Sequence, residues 1–133
     1  MKYLLLVTCS LLPVWLPAQA DDYGQQQRVV EAMLAEKNYR SARAQATALV
    51  ESGVAAQLTE VEGRGRFLLG RILTENPAAT PQERVAGIRE LRLAATELRR
   101  VRAASAVDSI LTLLEKLTGN TSTKTEELPS VKA

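Results

Sequence analysis

The side chains of this chain that could do chemistry are carboxylates, guanidinium groups and a few hydroxyls, because its 133 residues include no histidine and one cysteine, Cys9. Glu60 with Glu62, and Glu90 with Glu97, are the pairs that could share general-acid and general-base work, as glycoside hydrolysis asks of two carboxyl groups flanking one bond. The members of each pair lie near one another in sequence on a single predicted helix, and neither spacing brings two carboxyls together over a sugar. Ordinary solvated charge is the simpler expectation for all four. Arg99, Arg100 and Arg102 form a short basic run that suits an acidic partner or a phosphate, or else a polar turn between helices. Arg71, Arg89 and Arg92 are the candidate partner-binding residues. No catalytic, cofactor or metal-ligating set is expected, since thiolate or imidazole zinc sites and Ser-His-Asp triads need residue types missing here.

The residues that must position these groups begin after a leader. Lys2, the apolar run Leu4 to Leu16 and the small-x-small end Ala18-Gln19-Ala20 have the three zones of a secretory signal peptide, with cleavage expected before Asp21. Pro13 and Pro17 interrupt the run, which is too short to span a bilayer. Leu6-Val7-Thr8-Cys9 also places an apolar residue three before a cysteine, as bacterial lipidation sites do. Thr8 stands where such sites resemble one another in carrying Gly, Ala or Ser, so Cys9 is expected to leave with the leader. Without residues 1–20 the chain has 16 basic and 15 acidic residues. That balance favours neither nucleic acid nor an anionic membrane.

The rest reads as one small all-α domain, residues 21–119, of four to five antiparallel helices arranged as hairpins in a short stack. Val29, Val30, Met33 and Leu34 recur at helical spacing, and Tyr39, Ala42, Ala46, Leu49 and Val50 form the stripe of a second helix. Ser52-Gly53 is expected to stop it, with Gly53 in the left-handed conformation. Leu58, Val61, Leu68, Leu69, Ile72 and Leu73 mark a third helix. Gly63, Gly65 and Gly70 within it imply close helix packing, unless the helix starts near Arg66 and the first two lie in a loop. Thr80-Pro81-Gln82-Glu83 is a capping box with proline at the first helical position. It opens a helix whose buried stripe is Val85, Ile88, Leu91, Ala95 and Leu98, with Arg84, Arg89, Glu90, Glu97 and Arg99 solvated. Val107, Ile110, Leu111, Leu114 and Leu117 continue to Gly119 after a break between Arg99 and Ser105. Residues 120–133 are polar and aperiodic, a disordered tail by composition, and Asn120-Thr121-Ser122 within them is a glycosylation pattern of no expected use.

Two stretches resemble known helical-hairpin repeats. Leu69-Gly70, Leu73, Pro81-Gln82, Gly87, Leu91 and Ala94-Ala95 are similar to a Sel1-like repeat, which carries a Leu-Gly pair in its first helix and an Ala-Ala pair in its second. Val29, Val30, Met33, Tyr39, Ala42, Ala46 and Leu49 resemble a tetratricopeptide unit. Gly87 stands where these repeats usually have Ala, Lys37 replaces the Gly expected before Tyr39, and no aromatic residue follows Leu73. The resemblance implies a non-catalytic exported scaffold or adaptor that holds another periplasmic or envelope protein. Tyr39 and Phe67, two of the three aromatic residues after the leader, are the expected buried anchors of such a surface. A competing expectation comes from Glu51-Ser52, which resembles the catalytic Glu-Ser of lytic transglycosylases and implies an enzyme, or a modulator of one, acting on the cell wall. Val54 follows where those enzymes have an aromatic residue, and their downstream Gly-Leu-Met-Gln type motif is missing. Mass spectrometry of the exported protein is expected to give an N-terminus at Asp21; a lipid-modified product beginning at Cys9 would overturn that assignment.

Overall fold

A computed structural model describes residues 22–119. The expected leader and its cleavage point, Cys9, the Asn120-Thr121-Ser122 pattern and the expected tail lie outside the described residues. Within them the regular elements are α-helices: α1 (22–35), α2 (Tyr39–Ala55), α3 (Thr59–Glu75), α4 (Pro81–Arg100) and α5 (Ala104–Thr118). Each helix packs on the next, and short connections make neighbours antiparallel, giving a stack with α3 between α2 and α4.

Three of the four connections are built alike. Lys37, Gln57 and Arg102 take positive φ values of 63°, 58° and 60°. The amide that follows each donates to a carbonyl five residues back, Asn38 to Met33 at 2.8 Å, Leu58 to Gly53 at 2.8 Å and Ala103 to Leu98 at 2.9 Å. These are Schellman closures, which satisfy carbonyls at a helix end. The same residues, Asn38, Leu58 and Ala103, then cap the next helix by accepting from Ala42, Glu62 and Val107. The fourth connection, residues 76–80, ends in the expected capping box: Thr80 Oγ1 accepts from the Glu83 amide at 3.1 Å, and the Thr80 amide donates to Glu83 Oε1 at 2.8 Å.

The chain breaks after Arg100, inside the expected interval, but it does not stop at Gly53. The second helix runs on to Ala55 and the left-handed residue is Gln57. Gly53 is needed for space: a Cβ there would lie 2.5 Å from the Glu62 amide nitrogen. The third helix starts at Thr59, so Gly63 and Gly65 are helical and buried. A Cβ on Gly65 would meet Val50 at 2.9 Å, and one on Gly63 would meet Leu98 at 2.8 Å. Gly70 and Gly87 face each other across α3 and α4, each opposed by the other's carbonyl oxygen.

Helix α3 divides the core. On one side Leu68 and Ile72 join Val30, Leu34, Ala42, Ala46 and Leu49 from α1 and α2. On the other, Leu91, Ala94, Ala95 and Leu98 of α4 pack with Ala106, Val107 and Ile110 of α5, and Phe67 of α3 leans against them. Tyr39 and Phe67 are half-buried. Four residues assigned to apolar stripes are instead exposed: Val29, Leu58, Val85 and Leu111, at 40%, 41%, 57% and 42%. Ile88 is half-buried. In so thin a stack each helix meets few neighbours, and a stripe wide enough for a globular core overruns the contact.

The two kinds of special position predict opposite mutational signs. Gly70→Ala is expected to cost roughly 1–3 kcal/mol through overpacking against Leu91. Gln57→Gly should gain on the order of 1 kcal/mol by relieving a left-handed non-glycine residue. Urea denaturation of both variants checks this, and equal midpoints would refute it.

Candidate functional site

Two features of the stack can do more than hold it together, an ionic cluster at the α3–α4 seam and a groove across the α1–α3 side. The cluster centres on Arg66, which no sequence argument singled out. The i,i+4 pair Glu62–Arg66 was the available signal. Arg66 lies one turn beyond Glu62 on α3 and pairs with it at 3.0 Å, while across the seam it reaches Glu90 at 2.9 Å and Glu97 at 3.3 Å. Arg66 Nε donates to Glu62 Oε2, and the Glu97 contact lacks hydrogen-bond alignment. Glu97 Oε1 is buried with no hydrogen-bond partner. This corrects the expectation that Glu90 and Glu97 are solvated. An apolar stripe with Val85 inward leaves both glutamates in solvent, whereas in the structure Gly87, Leu91, Ala94 and Leu98 are among the buried residues of α4, and this rotation carries both glutamates to the edge of the seam.

Three carboxyls share one cation here, so they do not all ionise alike. Burial first, then the hydrogen bond and charge of Glu62, push Glu97 up to about 7, against attraction from Arg66 and Arg100. Glu62 is held below its ordinary value, first by its hydrogen bond with Glu97 and then by Arg66, with burial opposing. Arg66 loses from burial and gains more from the hydrogen bonds to Glu90 and Glu62, which keeps it charged. The cluster therefore divides into an ionised Glu62 and a Glu97 that takes up its proton near neutrality. Glu60, the other carboxylate proposed with Glu62, points away and pairs with Arg64 at 2.9 Å.

The groove, about 490 Å³, is lined by Tyr23, Gly24 and Gln27 of α1, Leu49 of α2, the Gln57-Leu58 turn, the first turns of α3 and Val101 beyond α4. Tyr23, Leu49, Leu58, Val61 and Val101 supply apolar surface, and Gln27, Gln57 and the Glu60–Arg64 pair supply a polar rim. None of the four clustered ionic residues lines it. Sequence reading missed the groove because Leu58 and Val101 belong to turns, which bring them beside α1 only in the folded stack.

Arg89 and Arg92 come together on the outer face of α4, with both side chains lining one shallow recess. Arg71 is not with them: it sits on α3 and pairs with Glu75 at 3.0 Å. Glu51 is exposed on α2, apart from the groove lining. Arg99 and Arg100 end α4 and Arg102 occupies the turn. Among the described residues, no group of three or more acidic, His or Cys side chains is placed to hold a metal ion. No helix among them is long and apolar enough to cross a membrane.

No family model, no curated protein and no solved structure matches this chain. Its function therefore has to be argued from the groove, the cluster and the exposed arginines themselves.

The cluster predicts a pH dependence of stability. A folded-state value raised to about 7 means that the native protein holds a proton the unfolded chain releases. The Glu97 contribution is thus full below the ordinary glutamate range and is lost as pH rises through about 7. Glu97→Gln should remove that decline, leaving a flatter urea midpoint between about pH 5 and about pH 8 than the parent shows. Parallel curves for the two proteins would refute the assignment.

Proposed function

We propose that this protein is a non-catalytic helical scaffold or adaptor, exported to the periplasm, that holds another protein of the bacterial cell envelope in the groove between α1, α3 and the α4–α5 turn. The observation that carries this reading is the groove lining. It exposes Leu58 and Val101, at 41% and 38%, beside Tyr23 and Val61 in a concavity large enough for several partner side chains. Contiguous apolar surface with a polar rim is the composition of a protein-binding patch, and an aromatic side chain beside it is a common anchor.

The resemblance of two stretches to Sel1-like and tetratricopeptide hairpins supports the same reading. Gly70, Ala94 and Ala95, the small residues of that resemblance, are buried on helices that approach closely. Such repeats stack thin hairpins and leave concave faces for partners. The leader residues support export, and the chain from Asp21 onward, without cysteine, suits an oxidising compartment.

The test is capture from the envelope fraction of a Gram-negative cell by the immobilised mature protein. The double variant Leu58→Glu with Val101→Glu replaces two exposed side chains, so its melting temperature should match the parent's while the specifically retained partner is lost. Undiminished capture by the folded double variant would reject the groove. Hydrolysis of purified peptidoglycan that disappears with Glu51→Gln would reject the scaffold reading.

A further inference from the structure

We propose that the outward face of α4 is a second docking surface and that its occupant is an acidic amphipathic helix of a partner protein. This names a partner's chemistry for a scaffold and so rests on that reading, though on another face. The glutamates of α4, Glu83, Glu90 and Glu97, fall at seven-residue intervals and all pair with arginines of other helices, Glu83 with Arg43 at 2.7 Å in an exposed contact and the other two with Arg66. The outward stripe is left with Val85, Arg89, Arg92, Thr96 and Arg99, alternately four and three residues apart, all exposed. Arg89, Arg92 and Arg99 form no ion pair among the described residues, whereas Arg43, Arg64, Arg66 and Arg71 all do. Other basic residues, Arg28, Arg40, Arg84, Arg100 and Arg102 among them, also form no ion pair among the described residues, but here three guanidinium groups share one line of about 21 Å, the rise of the helix from Val85 to Arg99, with no carboxylate in the stripe.

Shape selects the kind of anion. The Val85–Arg89 ridge has a recess on each side, one of about 490 Å³ over Pro81, Gln82 and Ala86, and one of about 370 Å³ over Ile88, Arg92 and Thr118. A phosphate backbone or a layer of lipid headgroups would meet the guanidinium groups and leave Val85 and Ile88 uncovered. A helix with Leu or Ile knobs flanked by Glu at three- and four-residue spacing fills both recesses and reaches the arginines, since ridges of one helix seat between those of another. Guanidinium forks bind carboxylates in two-pronged geometry, which suits arginine rather than lysine here.

The probe is a fluorescent synthetic helix of about 21 residues with Leu and Glu on one face and Ala and Gln elsewhere, tested by anisotropy on the full mature chain. Saturable binding that weakens with salt is expected, and the variant R89E/R92E/R99E should weaken it at least about ten-fold with unchanged circular dichroism. Should that variant misfold, R89Q/R92Q is read instead and must also weaken binding. The groove variant L58E/V101E should bind the probe normally. Equal binding by the arginine variants, equal binding of a Lys-for-Glu probe, or binding only to phosphatidylglycerol vesicles or an oligonucleotide would overturn this assignment. Loss of the probe result with groove capture intact would leave the scaffold reading standing, and the reverse pattern would remove the groove and keep the α4 surface.

Discussion

The close approach of α3 to both neighbours is the constraint on which the rest of the structure depends. A helix that must touch two others along its length needs small residues on two sides, and α3 supplies Gly65 toward α2 and Gly63 and Gly70 toward α4. Gly53 and Gly87 answer from the flanking helices. Each interior glycine costs about 1 kcal/mol relative to alanine in helix propensity, so the sequence accepts a weak helix at its centre in exchange for contact distances that side chains would prevent. Packing then holds α3 in a shape that its composition alone would not.

The same proximity explains the ionic cluster. With backbones close together along the glycine-bearing faces, the long side chains at the edge of the seam converge, and Arg66 reaches two glutamates on α4 as well as one on its own helix. Desolvation makes such an arrangement a weak source of net stability, because the partly buried carboxyls lose hydration that one guanidinium does not fully replace. Its value lies in alignment. Arg66 must sit between Glu90 and Glu97, which fixes how far α4 is shifted along α3.

Much of the fold was legible because its signals were local. The Thr80 capping box is written in four adjacent residues and is present. The break before Ser105 has no Gly or Pro to mark it and follows from the length one unbroken helix would need, and the chain does turn there, after Arg100. The errors came where geometry depends on a neighbour. Gly53 carries the residue type of a helix end, but contact with Glu62 is what requires it, while Gln57, an unremarkable residue, takes the left-handed turn. Val85 belongs to a fair apolar stripe, yet Gly87 decides which face of α4 meets α3, and that rotation carries Glu90 and Glu97 to the seam. Of the candidate contacts, Arg89 and Arg92 do share a face and Arg71 does not; helical spacing relates residues within a helix but says nothing of which helix lies beside it.

The three repeated turns also set how the chain tolerates changes of length. Each uses its few residues completely, one to close the helix behind and the next to open the helix ahead, so none has slack. One inserted residue at Lys37, Gln57 or Arg102 must be absorbed by the following helix, whose side chains then rotate by about 100° and present the wrong stripe to the core. The Asn76–Ala79 connection has no left-handed closure and holds its bend through an Asn76 side chain accepting from the Ala78 amide. Among the described connections it is the place where a stack of this kind can gain or lose residues, and hence where related chains would be free to differ in length while keeping their helices in phase.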